Sequence, residues 1–407
     1  MTHKIVTIRQ AGVGLAVVAL ALAVMPTPSA LAASTIRVPA DQPTIQQGID
    51  AAVNGDTVRV SPGTYVENIN FHGKAITVKS QNGPQTTIID GNQLGPVVMF
   101  NTAEGSASVL KGFTVRNGNG ALPSTGFAGG IDITEASPTI VGNTITNNRG
   151  CFVAGGVGAH FSNTAVVRDN LVTNNTKHEA CSSGGGGISG VGGQILRNTI
   201  TNNSASDGGG IRVGGLVTVK DNTITNNTAS SFGGGMDLQD ASGLIVQNLI
   251  ARNTATQGGG VHWFGSVGPT LLNNTMADNT ANQGSGIFAE SFAEVSLINN
   301  IVAAPQGQAA IFCDVSPPPI TFSHNNFFSP GGPAYGGTCP SQTGINGNIS
   351  ANPKFVHAAG NNYHLKPNSP SVDAGDKNVP GLPNKDFDGD NRVIHHKVDQ
   401  GIDEVKL

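Results

Sequence analysis

The chain has 407 residues, of which only 12% are charged and 5% aromatic, with 56 glycines and a formal net charge of −4. An acidic balance argues against nucleic acid and anionic membranes as partners. The low charged and aromatic content leaves few groups for either catalysis or binding, so each one carries weight.

At the start, His3, Lys4 and Arg9 precede an apolar run from Ala11 to Met25, and Ala30-Leu31-Ala32 supplies the small residues of a cleavage site. Residues 1–32 therefore read as a secretory signal peptide, since the apolar run is short for a bilayer span. Its removal leaves 20 basic against 26 acidic residues, a net charge of −6. The mature chain is expected to be secreted, monomeric and without a membrane partner.

Pro43 to Val53 is the one stretch with a helical pattern. Thr44 and Gln47 form a capping box, and Ile45, Ile49, Ala52 and Val53 make an apolar stripe. A helix here would cover the first edge of a β-structure built by the rest of the chain, blocking edge-to-edge association.

The central part of the chain is a repeat. Asn143, Asn170, Asn198, Asn222, Asn248, Asn274, Asn300 and Asn326 succeed one another at intervals of 27, 28, 24, 26, 26, 26 and 26 residues. Apolar columns accompany them, two residues after (Ile145, Val172, Ile200, Ile224, Ile250, Met276, Val302, Phe328) and three before most of them (Ile140, Val167, Ile195, Val219, Ile245, Leu271, Leu297). Each unit also has a glycine cluster followed by an apolar residue, as in Gly209-Gly210-Ile211 and Gly234-Gly235-Met236. Alternating Val, Ile and Thr favour strands, and glycine disfavours helix interiors. A fixed period of this length means stacked coils. The Asn column, with a second at Asn148, Asn175, Asn203, Asn227, Asn253 and Asn279, fits amide ladders in tight turns whose left-handed backbone Asn tolerates. Leucine-rich repeats would need more leucine than these Ile and Val columns offer. The calcium-binding nonapeptide solenoid has the wrong period. The expected fold is an all-β, right-handed parallel β-helix of roughly twelve coils over residues 33–350, with 351–407 as a C-terminal cap.

Four cysteines in an exported chain suggest two disulfides. Cys151 and Cys181 lie 30 residues apart and Cys313 and Cys339 lie 26 apart, about one coil each, which selects these two pairs among three connectivities.

In each Gly-Gly-apolar strand the residue after the first apolar one should point outward. That row reads Asp132, Gly158, Ser189, Arg212, Asp237, His262, Phe288. Arg212, Asp237 and His262 should stand side by side on the exposed face at ~4.8 Å steps. A base, a carboxylate and a cation make a candidate catalytic row for a uronate lyase or epimerase, which needs a base near the C5 proton and a positive group for the sugar carboxylate. The next outward row adds His160, Gln239, Phe264 and Glu290 as candidate substrate contacts. Trp263 faces inward and reads as core. Glycoside hydrolysis is the poorer reading, because Asp237 and Glu290 stand two coils and one row apart. In the tail, Asp386, Asp388 and Asp390 flank Gly389 in a pattern suited to a hard cation such as Ca²⁺, though the loop lacks a distal Glu.

The opening Val38-Pro39, Pro43-Thr44-Ile45-Gln46, Ile49-Asp50-Ala51-Ala52, Gly55-Asp56-Thr57-Val58 and Pro62-Gly63-Thr64-Tyr65 resembles that of secreted bacterial pectin-lyase-like right-handed β-helix repeat proteins. That group includes the periplasmic copper-maturation β-helix protein and carbohydrate-binding and sugar-hydrolase-type repeats. The tail is similar to theirs too: Ser369-Pro370-Ser371-Val372-Asp373-Ala374-Gly375, Asp386-Phe387-Asp388-Gly389, Arg392 and Val398-Asp399-Gln400-Gly401. Where relatives carry an aromatic before the final Glu, sometimes followed by an anchor, this chain has Ile402-Asp403-Glu404, so release from the cell is expected. The resemblance implies a polysaccharide partner and shares scaffold motifs rather than catalytic ones. A non-catalytic carbohydrate-binding or adhesive solenoid is the alternative to an enzyme. A more remote alternative is ice or flat-surface binding, from Thr144/Thr146, Thr199/Thr201 and Thr223/Thr225, rows interrupted by Leu171, Leu249, Ala251 and Ala277.

Overall fold

A computed structural model describes residues 32–120, 127–161, 163–178, 181, 184–291, 294–314 and 319–406. The expected signal peptide lies outside them except for Ala32. Residues 33–407 form one compact unit.

That unit is an all-β parallel solenoid. Its first sheet has 21 strands, its second 11 and its third 4, which corresponds to about eleven coils rather than twelve. The first sheet consists of two ladders that run separately along most of the solenoid. They fuse where Ile211–Lys220 and Met236–Val246 cross both faces without a break. The apolar columns are the core: Ile195, Val219, Ile245, Leu271, Ile200, Ile224, Ile250 and Met276 are all fully buried. At ~25 cal/mol per Å² of apolar surface, such side chains stabilise the fold by roughly 1.5–3 kcal/mol each.

The glycine column has a direct steric cause. A Cβ on Gly210 would lie 2.6 Å from the carbonyl oxygen of Gly235, and one on Gly235 the same distance from that of Gly260. Only a bare backbone lets successive coils approach here.

Both Asn columns are continuous ladders. Asn222 donates its backbone N–H and its Nδ2 to Asn248 Oδ1 at 3.0 and 2.9 Å, and Nδ2 also to Ile195 O at 2.9 Å. The left-handed backbone falls one residue earlier than expected, on Arg197, Asp221, Gln247, Asn273 and Asn299, with φ between 51° and 58°. Non-glycine residues tolerate this costly conformation, ~1–2 kcal/mol each, because it turns the following Asn inward, where it is fully hydrogen-bonded. The coil that follows Asn300 is one residue shorter than the period, and the ladder runs on one coil further, from Asn325 to Asn348. Asn325, not Asn326, receives Asn300. Phe327, not Phe328, pairs with Val302 in the core.

The helix spans Ile45–Ala51, capped by Thr44, whose side chain accepts from the Gln47 N–H at 3.1 Å. Ile45 and Ile49 are buried as expected, whereas Val53 lies beyond the helix and is exposed. Cys151–Cys181 and Cys313–Cys339 are bridged, with Cα atoms 5.5 and 5.1 Å apart.

The tail departs most from expectation. Its contacts run along the side of the solenoid, over the outer face of the second sheet. Tyr363 and Ile402 pack on Leu249, Ala251 and Ala277, with Phe355 and Phe387 at the margin. Gly401 donates to Asn299 O at 2.7 Å, and Ile402 N–H donates to Thr275 Oγ1 at 3.1 Å. Leu249, Ala251 and Ala277, which break the outward Thr rows, are the seat of this strap.

Candidate functional site

Parallel pairing sets Gly158, Ser189, Arg212, Asp237, His262 and Phe288 abreast in successive strands of the first sheet, in the expected register. Their exposure is not as expected. Asp237 is 0% and His262 2% exposed, and only the Arg212 side chain, at 24%, reaches solvent. The cause is a second wall: Asp207, Phe232, Gln257 and Gln283 form a parallel column on the chain just before each glycine cluster. Phe232 stacks on His262 with ring centroids 4.6 Å apart, and Phe288 stacks on its other face at 5.7 Å. Phe312 continues the stack. Sequence reasoning missed this wall, although its fixed offset of two residues before the glycine pair is a readable signal.

Under that cover the polar groups are joined. Asp237 Oδ2 accepts from Arg212 Nε at 3.2 Å and from Gln239 Nε2 at 2.9 Å, and Arg212 Nη2 donates to Gln239 Oε1 at 2.8 Å. Asp237 Oδ1 faces His262 Nδ1 at 2.6 Å. A carboxylate only accepts, so Nδ1 carries the hydrogen. Nε2 then points at Glu290 Oε2, 3.4 Å away. Glu290 is the outlet of this chain, with 35% of its side chain exposed. Burial, and then the neighbouring charge of Asp237, push the Asp207 carboxyl up. Beside the cluster lies a shallow cleft of about 270 Å³, lined by Ser189, Gly190, Arg212, Val213, Gly214 and Gln239.

The second outward row is only partly assembled. Gln239, Phe264 and Glu290 are adjacent in register, and Phe264 is half exposed. His160 pairs in register with Thr134 and belongs to a separate group, 3.4 Å from Asp132 and edge-on to Phe127. Trp263 is buried in the core.

The carboxylates Asp386, Asp388 and Asp390 do not converge as a Ca²⁺ site. Asp386 is buried and accepts the N–H groups of Asp388, Asp390 and Glu404 at 3.1, 2.7 and 3.1 Å. Asp388 turns to His364, and Asp390 pairs with Lys406 at 2.8 Å. Their oxygens hold a turn together instead of surrounding one point.

A larger cleft that sequence reasoning did not find, of about 630 Å³, lies along the third sheet. Arg149, Thr176, Lys177, Ser204 and Thr228 line it. Four of these come directly after Asn148, Asn175, Asn203 and Asn227, so the second Asn column is also the signpost to this face.

The sequence profile of the family described as "Right handed beta helix region" matches residues 187–352. Among solved structures, the chain is similar to that described as the crystal structure of pectate lyase Pel9A. The likeness has 16% identity and a TM-score of 0.54, and covers 88% of this chain and 90% of that one. No curated protein matches it. At this identity the likeness speaks for the fold alone, and together with the profile and the coil geometry it shows that this chain folds as a right-handed parallel β-helix.

Proposed function

We propose that this is an exported, polysaccharide-directed β-helix protein that holds saccharide on the outer face of the first sheet. The reading rests on one observation: a charged, aromatic-stacked network with Asp237 and His262 buried at its centre lies beneath that face, and Arg212, Gln239, Phe264 and Glu290 bring its edge to solvent. Burying a His–Asp pair and an Arg is expensive unless the groups are paired, and such networks concentrate at functional sites. The fold likeness to a pectate lyase and the two disulfides, which suit an oxidising compartment, support it. Among the described residues no helix is long and apolar enough to cross a membrane.

Binding is favoured over turnover by the way the charges are used. Arg212 is neutralised by Asp237, and His262 has both ring nitrogens turned to carboxylates, so neither faces a substrate as a free base. A uronate lyase or epimerase is the second reading. It would route C5 proton removal through Glu290, the accessible end of the Asp237–His262–Glu290 chain. Hydrolysis by two carboxylates fits less well, because Asp237 has no access to water. Ice binding loses part of its surface, since the strap covers the Thr-bearing face from Thr223 onward.

The test is to assay the purified protein against acidic and neutral polysaccharides, following both retention in affinity gels and the ultraviolet absorbance of unsaturated uronates. Retention by an acidic polymer without product supports binding. Product that disappears in Glu290→Gln supports the lyase reading. Neither retention nor product with any polymer overturns the proposal.

A further inference from the structure

The strap brings together three side chains that the saccharide reading does not use. His364 lies on the strand Asn362–Leu365, Asp388 on the turn after Phe387, and Asp403 near the end of the chain. One donor atom from each lies within 4.8 Å of the others.

Hydrogen bonding determines what the imidazole can offer. Asn362 Oδ1 accepts the His364 backbone N–H at 3.1 Å, which fixes the orientation of that amide, and the same oxygen faces His364 Nδ1 at 2.6 Å. Nδ1 therefore carries a hydrogen, and in the neutral ring Nε2 presents a lone pair. That lone pair is aimed at Asp388 Oδ2, 2.5 Å away. Two acceptors at this separation need a shared cation between them, either a second ring proton or a metal ion. Asp403 adds a third acceptor: it is only 9% exposed, its Oδ2 takes the Leu365 N–H at 3.2 Å, and no hydrogen-bond donor among the described residues reaches its Oδ1.

We propose that His364 Nε2, Asp388 and Asp403 bind one divalent transition-metal ion of the Zn²⁺ class and that this ion pins the strap to itself. One nitrogen and two carboxylate oxygens with an open fourth position suit Zn²⁺, whereas the imidazole disfavours Ca²⁺ and Mg²⁺. Ligand atoms on one tetrahedral ion stand ~3.3 Å apart, so modest side-chain rotations convert the observed spacing into a coordination shell. Asn362 supplies the orienting acceptor that ligating histidines ordinarily have on the other ring nitrogen. The three ligands come from three separate stretches of the tail, so the ion would cross-link the segment that covers the second sheet.

The experiment is isothermal titration of the EDTA-treated protein with ZnCl₂ at neutral pH, in parallel with CaCl₂, together with thermal unfolding. Expected are one Zn²⁺ per chain, a melting temperature raised by Zn²⁺, and affinity at least tenfold weaker in His364→Ala and in Asp403→Asn. Asn at position 403 keeps an acceptor for Leu365, and melting of each variant without metal checks that it folds. His396→Ala should bind as the wild type does. Absence of saturable Zn²⁺ uptake, uptake unchanged in both ligand variants, or Ca²⁺ binding of equal strength would each overturn the proposal, the first leaving an ordinary protonated His364–Asp388 ion pair.

Discussion

Among the described residues a buried carboxylate is paired with an arginine in two places, Asp237 with Arg212 and Glu404 with Arg392, and the two differ in their outlets. In the strap, Arg392 is fully buried and Glu404 nearly so. Arg392 Nη1 donates to Glu404 Oε1 at 3.0 Å and to Gly401 O at 3.1 Å, and Nη2 to Gln247 Oε1 and Ile402 O, both at 2.7 Å. Arg392 and all its acceptors are buried in the seam between tail and solenoid, and only beyond Gln247, at Asp221, do the hydrogen bonds come near solvent. On the first sheet, Arg212 and Asp237 form a comparable pair, but Arg212 itself meets solvent and the chain of contacts continues through His262 to the partly exposed Glu290. A network buried in a seam holds two parts together. A network with an outlet can also meet a ligand. Burial of charge alone does not separate structural from functional sites; how directly the paired groups themselves open to solvent does.

The largest effect that would sharpen this contrast is expected from Arg392→Ala. Removing one partner of a buried pair costs about 3–5 kcal/mol, to be read by chemical denaturation, with the strap released to proteolysis before the coils unfold. A loss below about 1 kcal/mol would break the claim that the Arg392 network carries the seam.

Asp237→Ala should come next. An exposed row would tolerate it within about 0.5 kcal/mol. Because Asp237 is buried between Arg212 and His262, the expected loss is about 2–3 kcal/mol, measurable in the same titration. A near-neutral result would restore the row to a solvated face.

The strap should also respond to pH. Burial pushes Glu404 up to about 8, against the pull of Arg392, and Asp399 up to about 6. Between about pH 4 and pH 8 the native state therefore holds protons that the unfolded chain has released, so stability falls as pH rises through that window. Glu404→Gln should flatten the upper part of the profile. A melting temperature that instead climbs from pH 5 to pH 8 contradicts the sign.

Phe264→Ala should have the smallest effect on stability. The ring is half exposed, so the change in unfolding free energy should stay within about 0.5 kcal/mol.

Much of the architecture was legible in the sequence, because a fixed period turns spacing into proximity. The core columns, the Asn ladders, both disulfides and the register of Arg212, Asp237 and His262 come from counting residues per coil. What the period does not encode is how the chain bends outside the core. Whether the row faces solvent depends on Phe232 and Gln257 folding back from the preceding turn, which no strand pattern expresses. The register slipped after Asn300 because one residue fewer between Asn300 and Asn325 moves the ladder and exchanges Phe327 for Phe328. The strap was hidden in plain sight, since Leu249, Ala251 and Ala277 read as flaws in a Thr row until a covering segment gives them a purpose. The Asp386 to Asp390 cluster misled for the opposite reason: carboxylates dense in sequence serve a turn as readily as an ion.

The most direct test of the central claim compares two faces of the same solenoid by measuring affinity for an oligouronate in an Arg212→Ala/Phe264→Ala double variant and in Arg149→Ala. The account predicts that the first loses at least tenfold in affinity while the second, in the larger third-sheet cleft, binds as the wild type does. Loss confined to Arg149→Ala would move the saccharide to the third sheet and leave the buried Asp237–His262 network a structural one.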